Sequence, residues 1–219
     1  MLRLPPHLRS ARFPVMKSRL SRLPAALLIF AFVAGLAACD DPNETDFLEQ
    51  VQADTATVYA LNGTSPSFPS GYRSASGAVT RADGNFNFDI AFDIDAANKV
   101  VVYPQRFVGV PCIVGAPNCG GVLGAKRVGL QRLTVAFDAL DRASNGGYVF
   151  DSTFVLSPGE GLAMQVQDGQ DCSLFISTVH YSKLVIDSID TNRRAIYFRA
   201  VNNPNCGYRS LVAGAVPKN

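Results

Sequence analysis

Apolar and polar side chains alternate along most of the chain beyond residue 57. The clearest stretch is Phe86-Asn87-Phe88-Asp89-Ile90-Ala91-Phe92-Asp93-Ile94-Asp95, with Phe86, Phe88, Ile90, Phe92 and Ile94 on one side and Asn87, Asp89, Asp93 and Asp95 on the other. A period of two predicts a strand with one buried and one wetted face. Asp83-Gly84 precedes it, after Ala78-Val79-Thr80-Arg81, and predicts a hairpin because glycine accepts a positive φ. Further strands are expected at Lys99–Tyr103, Gly129–Phe137, Tyr148–Leu156, Leu162–Gln167, Leu174–Val179, Lys183–Ile189, Arg194–Val201 and Leu211–Val216, with a second hairpin around Asp190-Thr191-Asn192-Arg193. Only Phe47, Leu48 and Val51 hint at a helical face, a short helix over Asp46–Val51. With no sustained helical period afterwards, an all-β, two-sheet antiparallel sandwich is the expected fold, with a partly open β-barrel as the alternative.

The first 38 residues follow a different rule. Arg3, Arg9, Arg12, Lys17, Arg19 and Arg22 stand without an acid, then an apolar run from Leu23 leads to Leu36-Ala37-Ala38-Cys39. Cationic start, short apolar run and small residues are the order of an export signal. The run is shorter than the roughly 20 residues that a spanning helix needs. Leu36 to Cys39 resembles the lipobox of bacterial lipoproteins at every position. The resemblance implies cleavage before Cys39, a diacylglycerol on its sulfur and a further acyl chain such as palmitate on its amine. Met1 and Met16 are both credible starts, and either leaves the same mature chain. The expected organisation is therefore a signal peptide over 1–38, a lipidated N-terminus and tether over 39–57, and one β domain over 58–219.

Asp40 and Asp41 follow the lipidated position. In enteric bacteria an aspartate there resembles the inner-membrane retention signal, whereas a polar tether needs the same residues, so both membranes stay open. The segment from Tyr181 to Leu211 also resembles stretches of bacterial envelope lipoproteins, which implies a small exported β domain and no mechanism.

Removing the signal changes the charge. The chain has 20 Lys and Arg against 18 Asp and Glu; six of the cations and none of the acids precede Cys39, so the mature chain carries 14 against 18, or −4. A mildly acidic surface excludes the clustered basic face that nucleic acid requires. Five cysteines become four once Cys39 carries lipid, and an even number in an exported chain points to disulfides. Cys112 with Cys119 and Cys172 with Cys206 is the favoured pairing of three, and neither spacing suits a zinc knuckle. Pro117-Asn118-Cys119-Gly120 and Pro204-Asn205-Cys206-Gly207 read as two turns that each present a cysteine.

Candidate chemistry is sparse. His7 leaves with the signal, so any serine–histidine–acid arrangement must use His180, and no Gly-x-Ser-x-Gly elbow accompanies it; Ser74-Ala75-Ser76-Gly77 has ordinary loop composition. Asp89, Asp93 and Asp95 are candidate calcium ligands or hydrolytic carboxylates. However, Phe88 stands where a calcium loop beginning at Asp83 requires glycine, and a solvated strand face accounts for all three. Tyr72 with Arg73 and Tyr208 with Arg209 are candidate stacking platforms for a glycan or peptide. Gly120 to Arg127 lacks the Gly-Lys-Ser/Thr ending of a phosphate loop and reads as a loop. The sequence thus predicts a lipid-anchored envelope protein with a non-enzymatic binding or scaffolding role toward an envelope protein or glycan, no cofactor beyond candidate calcium, and, as the alternative, a periplasmic hydrolase.

Overall fold

A computed structural model of the chain describes residues 48–82, 87–108, 126–150, 152–168, 171–172 and 177–217. Cys39, the Asp83-Gly84 pair, Cys112 and Cys119 lie outside them. The chain divides into Met1–Thr45 and Asp46–Asn219, and all described residues belong to the second unit.

That unit is a sandwich of two five-stranded antiparallel sheets, not closed into a barrel. The first sheet runs β1 (Gln52–Tyr59), β10 (Ala195–Asn203), β9 (Val179–Asp190), β8 (Gly161–Gln167) and β6 (Arg127–Arg132). The second runs β3 (Ala78–Thr80), β2 (Gly71–Arg73), β4 (Ile90–Ile94), β5 (Val100–Pro104) and β7 (Phe154–Leu156). Between them lies a core that includes Tyr72, Ile90, Phe92, Val102, Leu130, Leu162, Met164, Leu184, Ile186, Ile196 and Phe198. Phe198 anchors it, stacked on Phe92 and meeting Tyr72 edge-on, each with ring centroids 5.1 Å apart.

Alternation located β5, β8, β10 and the Lys183–Ile189 part of β9, and the β9–β10 hairpin turns where expected, with Arg194 at φ 51° closing it. Of the separate strand expected over Leu174–Val179, 174–176 lie outside the described residues, and of the rest only Val179 belongs to a strand, β9 itself. Other expectations need correction. The strand expected from Gly129 starts at Arg127 and stops at Arg132, and only Phe154–Leu156 of Tyr148–Leu156 is a named strand, preceded by an isolated bridge from Val149 to Leu130. Gly129 permits this crossing, since a Cβ there would meet the Phe150 ring at 2.7 Å and Tyr148 Cβ at 2.8 Å. No strand forms over Leu211–Val216. Nor is there a helix at Leu48–Val51; Val51 is buried and β1 begins at Gln52, inside the stretch read as tether.

The expected hairpin between Ala78–Arg81 and the strand after Gly84 does not form. β3 pairs with β2, and β4 pairs with β2 and β5. The actual hairpin turns at Ser74–Gly77, where Gly77 adopts φ 65°. β4 has no wet face either: all five of its residues are buried. Ala91 and Phe88 pack on its outer side with Ala82 and Val108. Alternation therefore breaks between Phe88 and Ile90, and Asp89 enters the interior instead of solvent.

Several polar groups inside the sandwich are paired with one another. Asn202 donates to the Tyr72 hydroxyl at 2.6 Å and to Asp54 at 2.7 Å. Tyr72→Phe should cost about 1 kcal/mol, the net worth of one such bond, because Asn202 keeps Asp54 as a partner. Urea denaturation tests this, and a gain in stability would contradict it. Beyond the β9–β10 turn, the Arg194 guanidinium reaches across to the second sheet, donating to Asp93 at 3.2 Å and the Ile94 carbonyl at 2.8 Å. On the outer face of the first sheet, Lys183 donates to the carbonyls of Phe137 and Leu140, each at 2.8 Å.

Candidate functional site

Chemistry-bearing side chains gather between the sheets at the end of the sandwich where β9 begins. Ser74 lies two residues after Tyr72, so the strand period points both inward. His180 is in phase with Leu184 and Ile186, both of the inter-sheet core. Asp89 arrives from just before β4, Lys126 from just before β6 and Asp168 from just after β8. The register that pairs Arg127 with Gln167 brings Lys126 and Asp168 face to face.

The hydrogen bonds have a definite direction. Asp89 Oδ2 accepts from the Ser74 backbone N–H and from the Ser74 hydroxyl, each at 2.6 Å. Asp89 Oδ1 accepts from Lys126 Nζ at 2.9 Å. A serine has one hydroxyl proton, and here it goes to the carboxylate. The 2.9 Å contact between Ser74 Oγ and His180 Nε2 is therefore donated by the ring. His180 Nδ1 is buried and, among the described residues, has no hydrogen-bond partner.

Lys126 Nζ also lies 2.7 Å from Asp168 and 3.3 Å from Asp171, and Arg73 pairs with Asp171. Burial by itself would push the Asp89 carboxyl up. The neighbouring His180 ring, the Lys126 ammonium and the Ser74 hydroxyl outweigh it and hold the carboxyl well below the usual carboxylate range. Burial likewise disfavours the Lys126 ammonium, but Asp89 and Asp168 prevail and raise its pKa.

This order differs from a nucleophilic triad. There the serine gives its proton to a ring nitrogen and the acid holds the ring by the other nitrogen. Here the ring donates to the serine, the serine donates to the acid, and Ser74, Asp89 and His180 are all 0 % exposed. Asp89 and Ser74 hold each other in place, and a carboxyl of depressed pKa is a poor base.

The other two candidate carboxylates, Asp93 and Asp95, are not gathered with Asp89. Asp93 is buried against Arg194 and Asn62, and Asp95 accepts from the backbone of Ala97 and Lys99 within a turn. The expected solvated face thus holds for Asn87, which is exposed, and for Asp95, which is partly exposed, but not for Asp89 or Asp93. Tyr72, a candidate stacking face, is inside the core, while its neighbour Arg73 is spent on Asp171. Tyr208 and Arg209 are half-buried in the segment after β10, where Arg209 donates to the Ala143 carbonyl at 3.2 Å.

Cys172 and Cys206 form the disulfide expected of them, their Cα atoms 5.7 Å apart. Both sulfurs and a ring nitrogen of His180 lie within 4.8 Å of one another. Sequence reasoning had His180 but missed Ser74 and Lys126. The available signal was the placement of Ser74 two residues beyond an inward-facing tyrosine. Set against known proteins, the chain matches no family model, no curated protein and no solved structure.

Proposed function

We propose that the mature chain is a lipid-anchored β-sandwich of the bacterial cell envelope with a non-enzymatic binding or scaffolding role toward an envelope protein or glycan. The observation that carries the non-enzymatic part is the direction of the Ser74–His180–Asp89 hydrogen bonds, which commits the serine proton to a carboxylate inside the sandwich. The Leu36–Cys39 pattern carries the anchor. Each buried methylene contributes about 0.8 kcal/mol, so two or three acyl chains hold the protein stably on one leaflet.

Two labels test this in cells expressing the full chain. An alkyne analogue of palmitate should enter the membrane-bound protein and be lost in Cys39→Ala; unchanged labelling of that variant would refute the anchor. A fluorophosphonate probe should leave the protein unlabelled. Labelling that disappears in Ser74→Ala would establish the hydrolase instead.

A further inference from the structure

We infer that reducing the Cys172–Cys206 disulfide opens a buried two-thiolate, one-imidazole site for a soft metal ion, Cu(I). The two sulfurs and a His180 ring nitrogen are already within 4.8 Å of one another, and all three side chains are buried. Thiolate sulfur selects soft ions, and three donors suffice for Cu(I), whereas Zn(II) takes four.

The second observation is the state of His180. The Ser74 hydroxyl donates to Asp89, so the contact between Ser74 and His180 Nε2 is donated by the ring, which leaves Nδ1 as the nitrogen that a neutral ring would offer a metal. That nitrogen is buried and has no hydrogen-bond partner among the described residues. A buried acceptor left unmatched is costly, and a metal bond would satisfy it. Metal-bound histidines characteristically give their other N–H to a carboxylate or a relay to one, which orients the ring and raises its basicity. Ser74 and Asp89 already supply that support.

The surrounding backbone does not depend on the disulfide alone. Cys172 N–H donates to the Asp168 carbonyl at 3.2 Å, and Gly207 N–H donates to the Val179 carbonyl at 2.7 Å, next to Cys206 and His180 respectively. The chemistry balances with a dithiol reductant: its two thiols become a disulfide while the Cys172–Cys206 bond takes up two electrons and two protons. Cu(I) then displaces both protons to solvent, forming two Cu–S bonds and one Cu–N bond. The oxidised Cys172–Cys206 pair has no thiolate to offer, so metal capture at this site is gated by redox state.

The test uses the full chain in detergent with Cys39→Ala, Cys112→Ser and Cys119→Ser, leaving Cys172 and Cys206 as the only cysteines. Cu(I) is titrated anaerobically against a chromogenic Cu(I) chelator before and after dithiol treatment. The expected result is one Cu(I) per chain after reduction and none before. X-ray absorption at the copper edge should show two sulfur and one nitrogen neighbours. His180→Gln should weaken binding at least tenfold, and Ser74→Ala, which frees the ring, by about 10- to 100-fold. Copper left entirely with the chelator, a copper site with sulfur neighbours only, or loss of the β circular dichroism on reduction would each overturn the proposal. The absorption measurement needs no change at His180 or Ser74, so a variant that fails to fold does not weaken it.

Discussion

Lys126→Met is expected to destabilise the domain by about 3–5 kcal/mol at neutral pH, the usual cost of removing one partner of a buried ion pair. Its ammonium faces Asp89, Asp168 and Asp171, and removing it takes one positive charge from beside three largely buried carboxylates. The pH dependence has a definite sign. In the unaltered protein the Asp89 carboxyl lies below its unfolded value, so its contribution is present above about pH 4 and is lost as acid takes the pH down through the folded value. Lys126 is raised, so its own contribution is present below about pH 10 and fades as the pH rises through the folded value. In the variant, burial of Asp89 is opposed by one charge fewer, and protonating it relieves the penalty. Urea denaturation at pH 7 and pH 4 should therefore show a large deficit that shrinks with acid. Equal deficits at both pH values would mean that packing, not charge, is what Lys126 provides.

The second large effect concerns the disulfide. Its cysteines are 34 residues apart in sequence, enclosing β9 and β10. Loop-closure entropy for that length gives about 4 kcal/mol of restraint on the unfolded chain. Cys172→Ser with Cys206→Ser, in a chain already lacking Cys112 and Cys119, should lower the unfolding free energy by roughly that amount while leaving the strand content intact. A denaturation midpoint identical with and without reductant would show that the bond does not restrain the chain. Typical domains hold 5–15 kcal/mol, so the reduced sandwich is expected to stand with a narrower margin.

Much of the sandwich was legible because long half-buried strands advertise themselves. β8, β9 and β10 carry seven, twelve and nine residues, enough for a period of two to repeat. β2 and β3 have three each, too few to show one, which hid the hairpin at Ser74–Gly77 and hence Ser74 itself. Asp89 was assigned to solvent by extending the pattern of β4 backward through Phe88, where the backbone departs from it. Lys126 sits at the end of a glycine-rich run whose composition reads as loop, and nothing local announces that three carboxylates from before β4 and after β8 converge on it. The pairing of Cys172 with Cys206 was one of three that the four cysteines allow, favoured because it follows from closing the short loop between Cys112 and Cys119.

The Arg194 contact beyond the β9–β10 turn and the Asp89–His180 group at the start of β9 stand at opposite ends of the same pair of sheets. Hydrocarbon surfaces attract without direction, so two layers joined only by Phe92, Phe198 and their neighbours could slide by a fraction of a strand spacing at little cost. Hydrogen bonds and ion pairs are directional and short-ranged. Pinned at both ends, the layers act as one plate, and a pull on either is transmitted to the other as rigid-body displacement rather than shear.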